Sequence, residues 1–443
     1  MVDTDSLPKR SYLLCSTPVH GHFSPLATIG QHLVSRGHRV VMLTGSRFAQ
    51  AVTDRGMEFR ALDGLADFDD RNADSFLPDR DDYRGLARAQ YDIQSIFVNT
   101  IPAQFRAVER ILAAEPVDAI VVDNAFAGVA PLLQSAAGSR VPVLAVGVTP
   151  LSQSSRDVAP YGMGMLPSSG PGARLRNRLL NVVAHRVLFR DTQRAGQRAF
   201  AELGRAPLDH FVMDISSAFD RFLQLNASGF EYPRSDLAPN TAFVGPVIPA
   251  GSGAPLPEWW GDLAAATRVV HVTQGTIDNL DLGRLVGPTV AALANDDVLV
   301  VVSTGGREVA ALGTLPVNVR AAEYLPYDLL LPLTDVFVTN GGFGGVQQAL
   351  SHGVPIVIAG DTEDKPEVAA RVEWSGVGIN LRTGTPASGD VAAAVRAVLG
   401  DDGYRARARA QADAIAALDS LAAIELELYR ATAARSSATE RRS

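Results

Sequence analysis

Short apolar runs alternate with helical patterns along this chain, in two successive series. The first series has runs at 11–16, 39–44, 57–62, 117–123 and 141–147. The second series has runs at 267–276, 297–306, 319–326, 335–345, 354–361 and 376–381. A strand of a parallel sheet is buried on both faces, so its sequence is a continuous apolar run. The alternation therefore predicts α/β units with parallel sheets, arranged in two domains.

A break rich in Pro and Gly separates the two series. It reads GPVIPAGSGAPLPEWWGD at 245–262, and 443 residues are too many for one ordinary core. We therefore expect an N-terminal domain at 1–245, a linker at 246–262 and a C-terminal domain at 263–418. A last helical stretch at 419–431 has no strand after it, and we expect it to pack back on the N-terminal domain.

Composition and charge exclude several classes of function. The 40 basic and 48 acidic residues give a net charge of −8 without a basic stripe, so we expect no nucleic-acid partner. Cys15 is the one cysteine, and its apolar surroundings favour a small buried hydrophobe. The N-terminus lacks the pattern of a signal peptide, and no stretch reaches the roughly 18 apolar residues of a membrane helix. We expect a cytoplasmic protein with no membrane span.

The most informative stretch is TNGGFGGVQQALSHGVP, which begins at Thr339. Four glycines lie within 341–345, between the end of an apolar run and a helical pattern that continues to Gly353. Such glycines let backbone N–H groups approach a phosphate, and a helix N-terminus adds a positive dipole end. A tight turn that needs positive φ explains the same glycines, so both interpretations stay open. TQGT at 273–276 also ends a run, at the carboxyl end of a strand where open α/β sheets bind ligands, but by itself it fits a plain turn better.

The order of the motifs carries a family resemblance. GHFSP at 21–25, VVD at 121–123, TQGT, EYLP at 323–326, the glycine stretch and DTEDKPEVAARV at 361–372 follow one another. In this order they resemble the family 1 nucleotide-sugar glycosyltransferases of GT-B fold, especially the bacterial enzymes that glycosylate macrolides and other natural products. The resemblance implies an α/β protein with two Rossmann-like domains facing a central cleft. The first domain would bind the acceptor and the second the nucleotide sugar.

Carried over residue by residue, the resemblance implies a donor site in the second domain. Asn340 takes the place of a phosphate-binding His, and Gln348 that of a Glu on the ribose hydroxyls, so both can form hydrogen bonds without charge. Tyr324 takes the place of a Trp that stacks on the nucleobase. The donor residues implied in this way are Thr273, Gln274, Gly275, Thr276, Tyr324, Asn340, Gly342, Phe343, Gly344, Gly345, Gln348, Asp364 and Lys365.

Asp364 and Lys365 align with an Asp/Glu-Gln pair that binds the sugar hydroxyls in the family. Asp364 keeps the carboxylate, which accepts hydroxyl hydrogen bonds, whereas Lys365 stands where the family has Gln. Asp361 and Glu363 are neighbouring acidic alternatives. A solvated helix start explains this acidic cluster equally well.

Two histidines, His20 and His22, precede a helix that we predict to begin at Pro25. In the family, the His of the GHxxP motif removes the acceptor proton, and this position is His22. Asp123 matches the Asp that orients it, and His20 is a bystander. A general base of this kind needs an imidazole of near-neutral pKa. One ring nitrogen takes the acceptor proton, and a carboxylate binds the other nitrogen and orients the ring.

The resemblance implies an inverting hexosyltransferase. It would move a hexose or deoxyhexose from a UDP- or dTDP-sugar to a hydroxyl of a small apolar natural product, such as a macrolide, a polyketide or a phenol. We expect no metal and no bound cofactor, because amides can stabilise the leaving diphosphate, and we expect a monomer or homodimer.

Two alternatives stay open: a sugar-nucleotide epimerase, and a catalytically silent GT-B partner protein. An epimerase needs several acids and bases around the sugar, whereas this chain offers one His/Asp pair.

Overall fold

The structure is a computed structural model that describes residues 8–249, 251, 255–276 and 278–440, with side chains up to 433. Within these residues it contains two separate sheets, and every strand pair in both sheets is parallel. Residues 250 and 252–254 of the predicted linker lie outside the described residues.

The first sheet has seven strands in the order β3-β2-β1-β4-β5-β6-β7 in the described part of the chain. Its strands are β1 Ser11–Cys15, β2 Arg39–Thr44, β3 Glu58–Ala61, β4 Ala119–Asp123, β5 Val143–Gly147, β6 Arg221–Gln224 and β7 Thr241–Phe243. Its helices are α1 His20–Ser35, α2 Ala49–Thr53, α3 Ala73–Phe76, α4 Gly85–Ile93, α5 Ile101–Ala114, α6 Ala130–Leu133, α7 Ala173–Val183 and α8 Arg190–Glu202.

The second sheet has six strands in the order β10-β9-β8-β11-β12-β13, again within the described residues. Its strands are β8 Val269–Thr273, β9 Leu299–Ser303, β10 Val319–Ala322, β11 Val336–Thr339, β12 Ile356–Ile358 and β13 Gly378–Asn380. The remaining helices are α9 Asp262–Ala265, α10 Val286–Leu293, α11 Tyr327–Leu330, α12 Phe343–Ser351, α13 Lys365–Ser375, α14 Ser388–Gly400, α15 Asp402–Ala416 and α16 Ser420–Glu440.

The central strands of each sheet are buried on both faces because helices cover both sides of the sheet. In β1, Leu13 and Cys15 belong to the apolar cluster on one face, and Tyr12 and Leu14 belong to the cluster on the other face. This alternation is the period of a strand, and the double burial is the reason why the run reads as continuously apolar. Cys15 is a buried free cysteine inside this core.

Two segments cross between the domains. The last helix, α16, places Ile424 and Leu428 in the apolar core under the first sheet. In the opposite direction, Phe230 belongs to the apolar core of the second domain, which also contains Phe337. Trp259 lies against the second domain and donates its indole N–H to the carbonyl of Ala321 at 3.3 Å.

Two local features differ from the sequence expectation. The helix after β1 begins at His20 rather than at Pro25, and Pro25 lies inside it. Pro25 is the sixth residue of this helix, where its ring removes one backbone hydrogen bond without ending the helix, so the proline did not mark the first helical residue. Strands β6 and β7 were not predicted, because neither forms a continuous apolar run: β6 is bounded by Arg221 and Gln224, and β7 is only partly buried.

Candidate active site

The two sheets have the same kind of switch point. Strand order reverses between β1 and β4 in the first sheet and between β8 and β11 in the second. Open α/β sheets bind ligands outside the carboxyl ends of the strands at such a point. His22 and Asp123 lie at the first switch point, and the turns after Thr273 and Thr339 lie at the second.

The side chains of His22 and Asp123 form a close pair. Nδ1 of His22 lies 2.8 Å from Oδ1 of Asp123, and the Asp123 carboxylate is fully buried. Asp123 also accepts the backbone N–H groups of Thr17 at 2.7 Å and of Ala125 at 2.8 Å. These bonds fix the carboxylate, so the orientation of the imidazole is set by buried groups.

Several charges act on the His22 imidazole. Burial lowers its pKa, but the charge of Asp123 and the hydrogen bond to it outweigh burial, so that the pKa is raised above its usual 6.5. Asp364 and Glu363 raise this pKa further. Both belong to the second domain, so charges of that domain act on His22.

His20 has a different environment from His22, although both are in the first turn of α1. Its backbone N–H donates to Oδ2 of Asp70 at 2.7 Å, and the residue is exposed. The structure therefore pairs only one of the two histidines with the carboxylate of Asp123.

The glycine-rich turn after β11 leads into α12. Gly341 has φ 99°, which favours glycine, and its N–H donates to the side-chain oxygen of Thr339 at 3.1 Å. Gly342 and Gly344 are exposed, and a Cβ on either would meet no atom within 4 Å. Space for an anion therefore exists beside the first N–H groups of α12, where the positive end of the helix dipole lies.

Asn340 connects the two turns of the second switch point. Its Nδ2 donates to the carbonyl of Gln274 at 2.6 Å, and the side chain is buried. The Gln274 side chain points to α10, where its Oε1 accepts the N–H groups of Leu285 and Val286, both at 3.0 Å. Gln274 thus holds the helix start, and only its backbone is directed to Asn340.

The other predicted donor residues fall into buried and exposed groups. Thr273 donates to the carbonyl of Ser303 at 3.0 Å, and Phe343 packs in the core of the second domain. Thr276 is exposed and Gln348 is half-buried. Tyr324 is 58% exposed, so its ring is open for a stacking partner.

The acidic loop before α13 forms a network that the sequence did not reveal. Lys365 is buried, and its Nζ lies 3.1 Å from Oγ1 of Thr362, 3.7 Å from Oδ2 of Asp278 and against Glu363. Asp278 also pairs with Arg284 at 3.0 Å. A charged lysine in place of the family's Gln is therefore neutralised by neighbouring carboxylates.

Asp364 is one of the two acidic residues of this loop whose charges act on His22. Burial raises its pKa to about 6, and the charges of Lys365 and His22 act in the opposite direction. Glu363 beside it has φ 54°, a left-handed conformation that non-glycine residues seldom adopt. The loop backbone is strained at the cleft, where functional residues often carry such strain.

One cavity lies away from the predicted site. It has a volume of about 560 Å³ and lies near the amino ends of β8 and β11, lined in part by Arg268, Asp335 and Arg405. None of the predicted site residues lines it.

Among the described helices, none is both long and apolar enough to cross a membrane.

Known proteins resemble this chain along nearly its whole length. The profile of the erythromycin biosynthesis protein CIII-like C-terminal domain matches residues 288–425. The 4'-demethylrebeccamycin synthase of Lentzea aerocolonigenes is 38% identical over 92% of this chain and 96% of that protein. UDP-glycosyltransferase 2 of Phaeomoniella chlamydospora is 37% identical over 95% of each. The chain belongs to the GT-B glycosyltransferases of natural-product type.

A solved structure shares the fold of this glycosyltransferase. The calicheamicin glycosyltransferase CalG4 covers 96% of the chain, and 98% of CalG4 is covered, with a TM-score of 0.71 and 22% sequence identity. The family and the GT-B fold predicted from the sequence are both confirmed. The roles of single residues in this glycosyltransferase stay predictions.

Proposed function

We propose that the protein is an inverting glycosyltransferase that moves a hexose or deoxyhexose from a UDP- or dTDP-sugar to a hydroxyl of an apolar natural product. One observation carries the proposal. The His22–Asp123 pair lies at one switch point and feels the charge of Asp364 from the other domain, and the glycine-rich start of α12 lies at the second switch point. A base, a sugar-reading carboxylate and an anion site then border one cleft.

In this proposal His22 acts as the general base. Because Nδ1 is bonded to the Asp123 carboxylate, the neutral ring carries its proton on Nδ1 and its lone pair on Nε2. Nε2 accepts the proton of the acceptor hydroxyl as the oxygen attacks the anomeric carbon. The new bond joins that oxygen to the sugar, and the bond to the diphosphate breaks on the opposite side, which inverts the anomeric centre.

The leaving nucleoside diphosphate carries away the electron pair of the broken bond. The N–H groups after Gly342 and the dipole of α12 are placed to stabilise this charge. We propose that they do so without a metal ion or another cofactor. Asp364 would accept hydrogen bonds from the sugar hydroxyls, and Tyr324 would stack on the nucleobase.

A relative at 37% identity is named a UDP-glycosyltransferase, which supports a uridine nucleotide as one candidate donor. The test is a panel of UDP- and dTDP-sugars, each incubated with and without a panel of hydroxyl-bearing apolar acceptors. We expect release of nucleoside diphosphate that depends on the acceptor, together with a glycosylated product. Epimerised sugar nucleotide without an acceptor would instead indicate the isomerase. Binding of a sugar nucleotide without any turnover would indicate the silent partner protein.

A further inference from the structure

Helix α13 begins beside Asp364 and is tied to the first domain along its length. Glu367, one turn into the helix, is 5% exposed. Its Oε1 accepts the backbone N–H groups of Gly162 and Gly164, each at 2.9 Å. A carboxylate of the donor domain therefore holds a segment of the predicted acceptor domain.

A second contact lies one turn further along α13. Arg371 is 1% exposed, donates to Oε2 of Glu367 at 2.8 Å, and pairs with Glu231 of the first domain at 2.6 Å. Glu231 also pairs with Arg234, which donates to the carbonyl of Leu151 at 3.0 Å. Buried charges with this many partners fix a single geometry, because breaking any pair leaves a charge unpaired away from water.

The segment held by Glu367 approaches the helix closely. Gly164 has φ 57°, and a Cβ there would lie 3.0 Å from the carbonyl oxygen of Pro366. Gly162 has φ 94°. At both positions glycine allows a backbone conformation that a side chain would oppose. At Gly164 it also allows a close approach to α13 that a Cβ would prevent.

Tyr161 directly precedes these glycines. Burial raises the pKa of its phenol, and the charge of Asp364 adds to this effect. The segment lies at the start of α13, because Gly162 and Gly164 donate to Glu367 and a Cβ on Gly164 would meet Pro366. A segment of the first domain thus borders the helix start that directly follows Asp364.

We propose that Glu367 is a positioning residue for the acceptor. It joins segment 161–164 to the helix that follows Asp364, and so holds this segment as a wall of the reaction chamber beside Asp364. Part of the acceptor site is then formed by the first domain but fixed by the second. This proposal rests on the proposed function of the cleft.

Substitution Glu367→Gln tests the proposal because no orientation of the amide can replace the carboxylate. If its oxygen accepts the two glycine N–H groups, its NH₂ faces the Arg371 guanidinium, and if it is flipped, its NH₂ faces the glycines. Glu373→Gln is the matched control. Glu373 is on the same helix, but it pairs with Arg382 and Asn380 of its own domain.

Two readouts separate positioning from a general loss of structure. In Glu367→Gln we expect the KM for the acceptor to rise about tenfold, while the KM for the sugar nucleotide stays within about twofold. We also expect faster hydrogen exchange at the Gly162 and Gly164 amides, which lose their acceptor. Glu373→Gln should match the wild type in both. An unchanged acceptor KM, or equal rises for donor and acceptor, would overturn the proposal.

Gly164→Ala reaches the same contact from the other side and leaves the buried charges in place. Its Cβ should push the segment away from Pro366, with the same selective rise in acceptor KM. If Glu367→Gln does not fold, this variant decides the question. With both substitutions the effect should hardly exceed that of the stronger one, because both break one contact. Hydrogen exchange needs no turnover, so it tests the contact even if the proposed transferase activity is absent.

Discussion

The two switch points occupy equivalent places in their sheets but offer different chemistry. At the first, β1 and β4 present a buried carboxylate and an imidazole, which can move a proton. At the second, the turns after β8 and β11 present glycines, while Thr273 and Gln274 turn their side chains inward. In the proposed mechanism, the same topology therefore serves acid–base chemistry through side chains in one domain and anion binding through backbone groups in the other. Predictions about the first site concern rates and pH, and those about the second concern affinity.

The largest expected effect is at the first site. His22→Ala should lower the transfer rate by about two to four orders of magnitude, because it removes a positioned general base, while sugar-nucleotide affinity is preserved. Initial rates and donor binding by calorimetry measure the two quantities. His20→Ala is the control and should retain most activity, since the exposed His20 lacks the bond to Asp123. A collapse for His20→Ala with survival of His22→Ala would assign the base to the other histidine.

Asp123→Asn should cost less than His22→Ala and should also shift the pH profile. His22 acts as a base only when neutral, so the wild-type rate should rise with pH through its pKa, which is raised above 6.5. The charge of Asp123 is a main cause of that raised pKa. Without it burial lowers the pKa, and the acid limb of kcat/KM should move to lower pH. An acid limb that stays in place in a variant of normal thermal stability would exclude His22 as the titrating group.

Asn340→Ala should act on affinity at the second site. It removes the bond to the Gln274 carbonyl that joins the two turns. A neutral hydrogen bond contributes about 0.5 to 1.5 kcal/mol, so the Kd for the sugar nucleotide should rise by up to about tenfold with little change in folding. Asn340→His should remain active if the alignment with the family is right. An unchanged Kd in the alanine variant would remove Asn340 from the donor site.

The smallest expected effect is that of a chelator. If backbone amides and the α12 dipole stabilise the leaving diphosphate, EDTA should change turnover by less than about twofold. Steady-state rates before and after chelation, with magnesium or manganese added back, measure this. If activity is lost on chelation and restored by either ion, a metal rather than the amides stabilises the leaving diphosphate.

Local sequence patterns determined the sheets and the positions of their turns. Runs such as VDAIVVD and DVFVT predict buried parallel strands, because each element shows its own burial in a few successive residues. The motifs after these runs also identified the family and the GT-B fold. Strands β6 and β7 were missed, since Arg221 and Gln224 bound β6 and the residues of β7 are only partly buried, so neither forms a continuous apolar run.

Only the tertiary structure decided which side chains face the cleft. Gln274 looks like a ligand in TQGT, yet it caps α10, and Phe343 stands in the glycine motif, yet it fills the core. Glu367, in turn, resembles any acid in a first helical turn, yet it binds Gly162, 205 residues away. Contacts between distant segments leave no periodic trace in the sequence, because the same residue types serve solvated surfaces. Whether such a residue is a ligand, a cap or a tie between domains depends on what the fold brings against it.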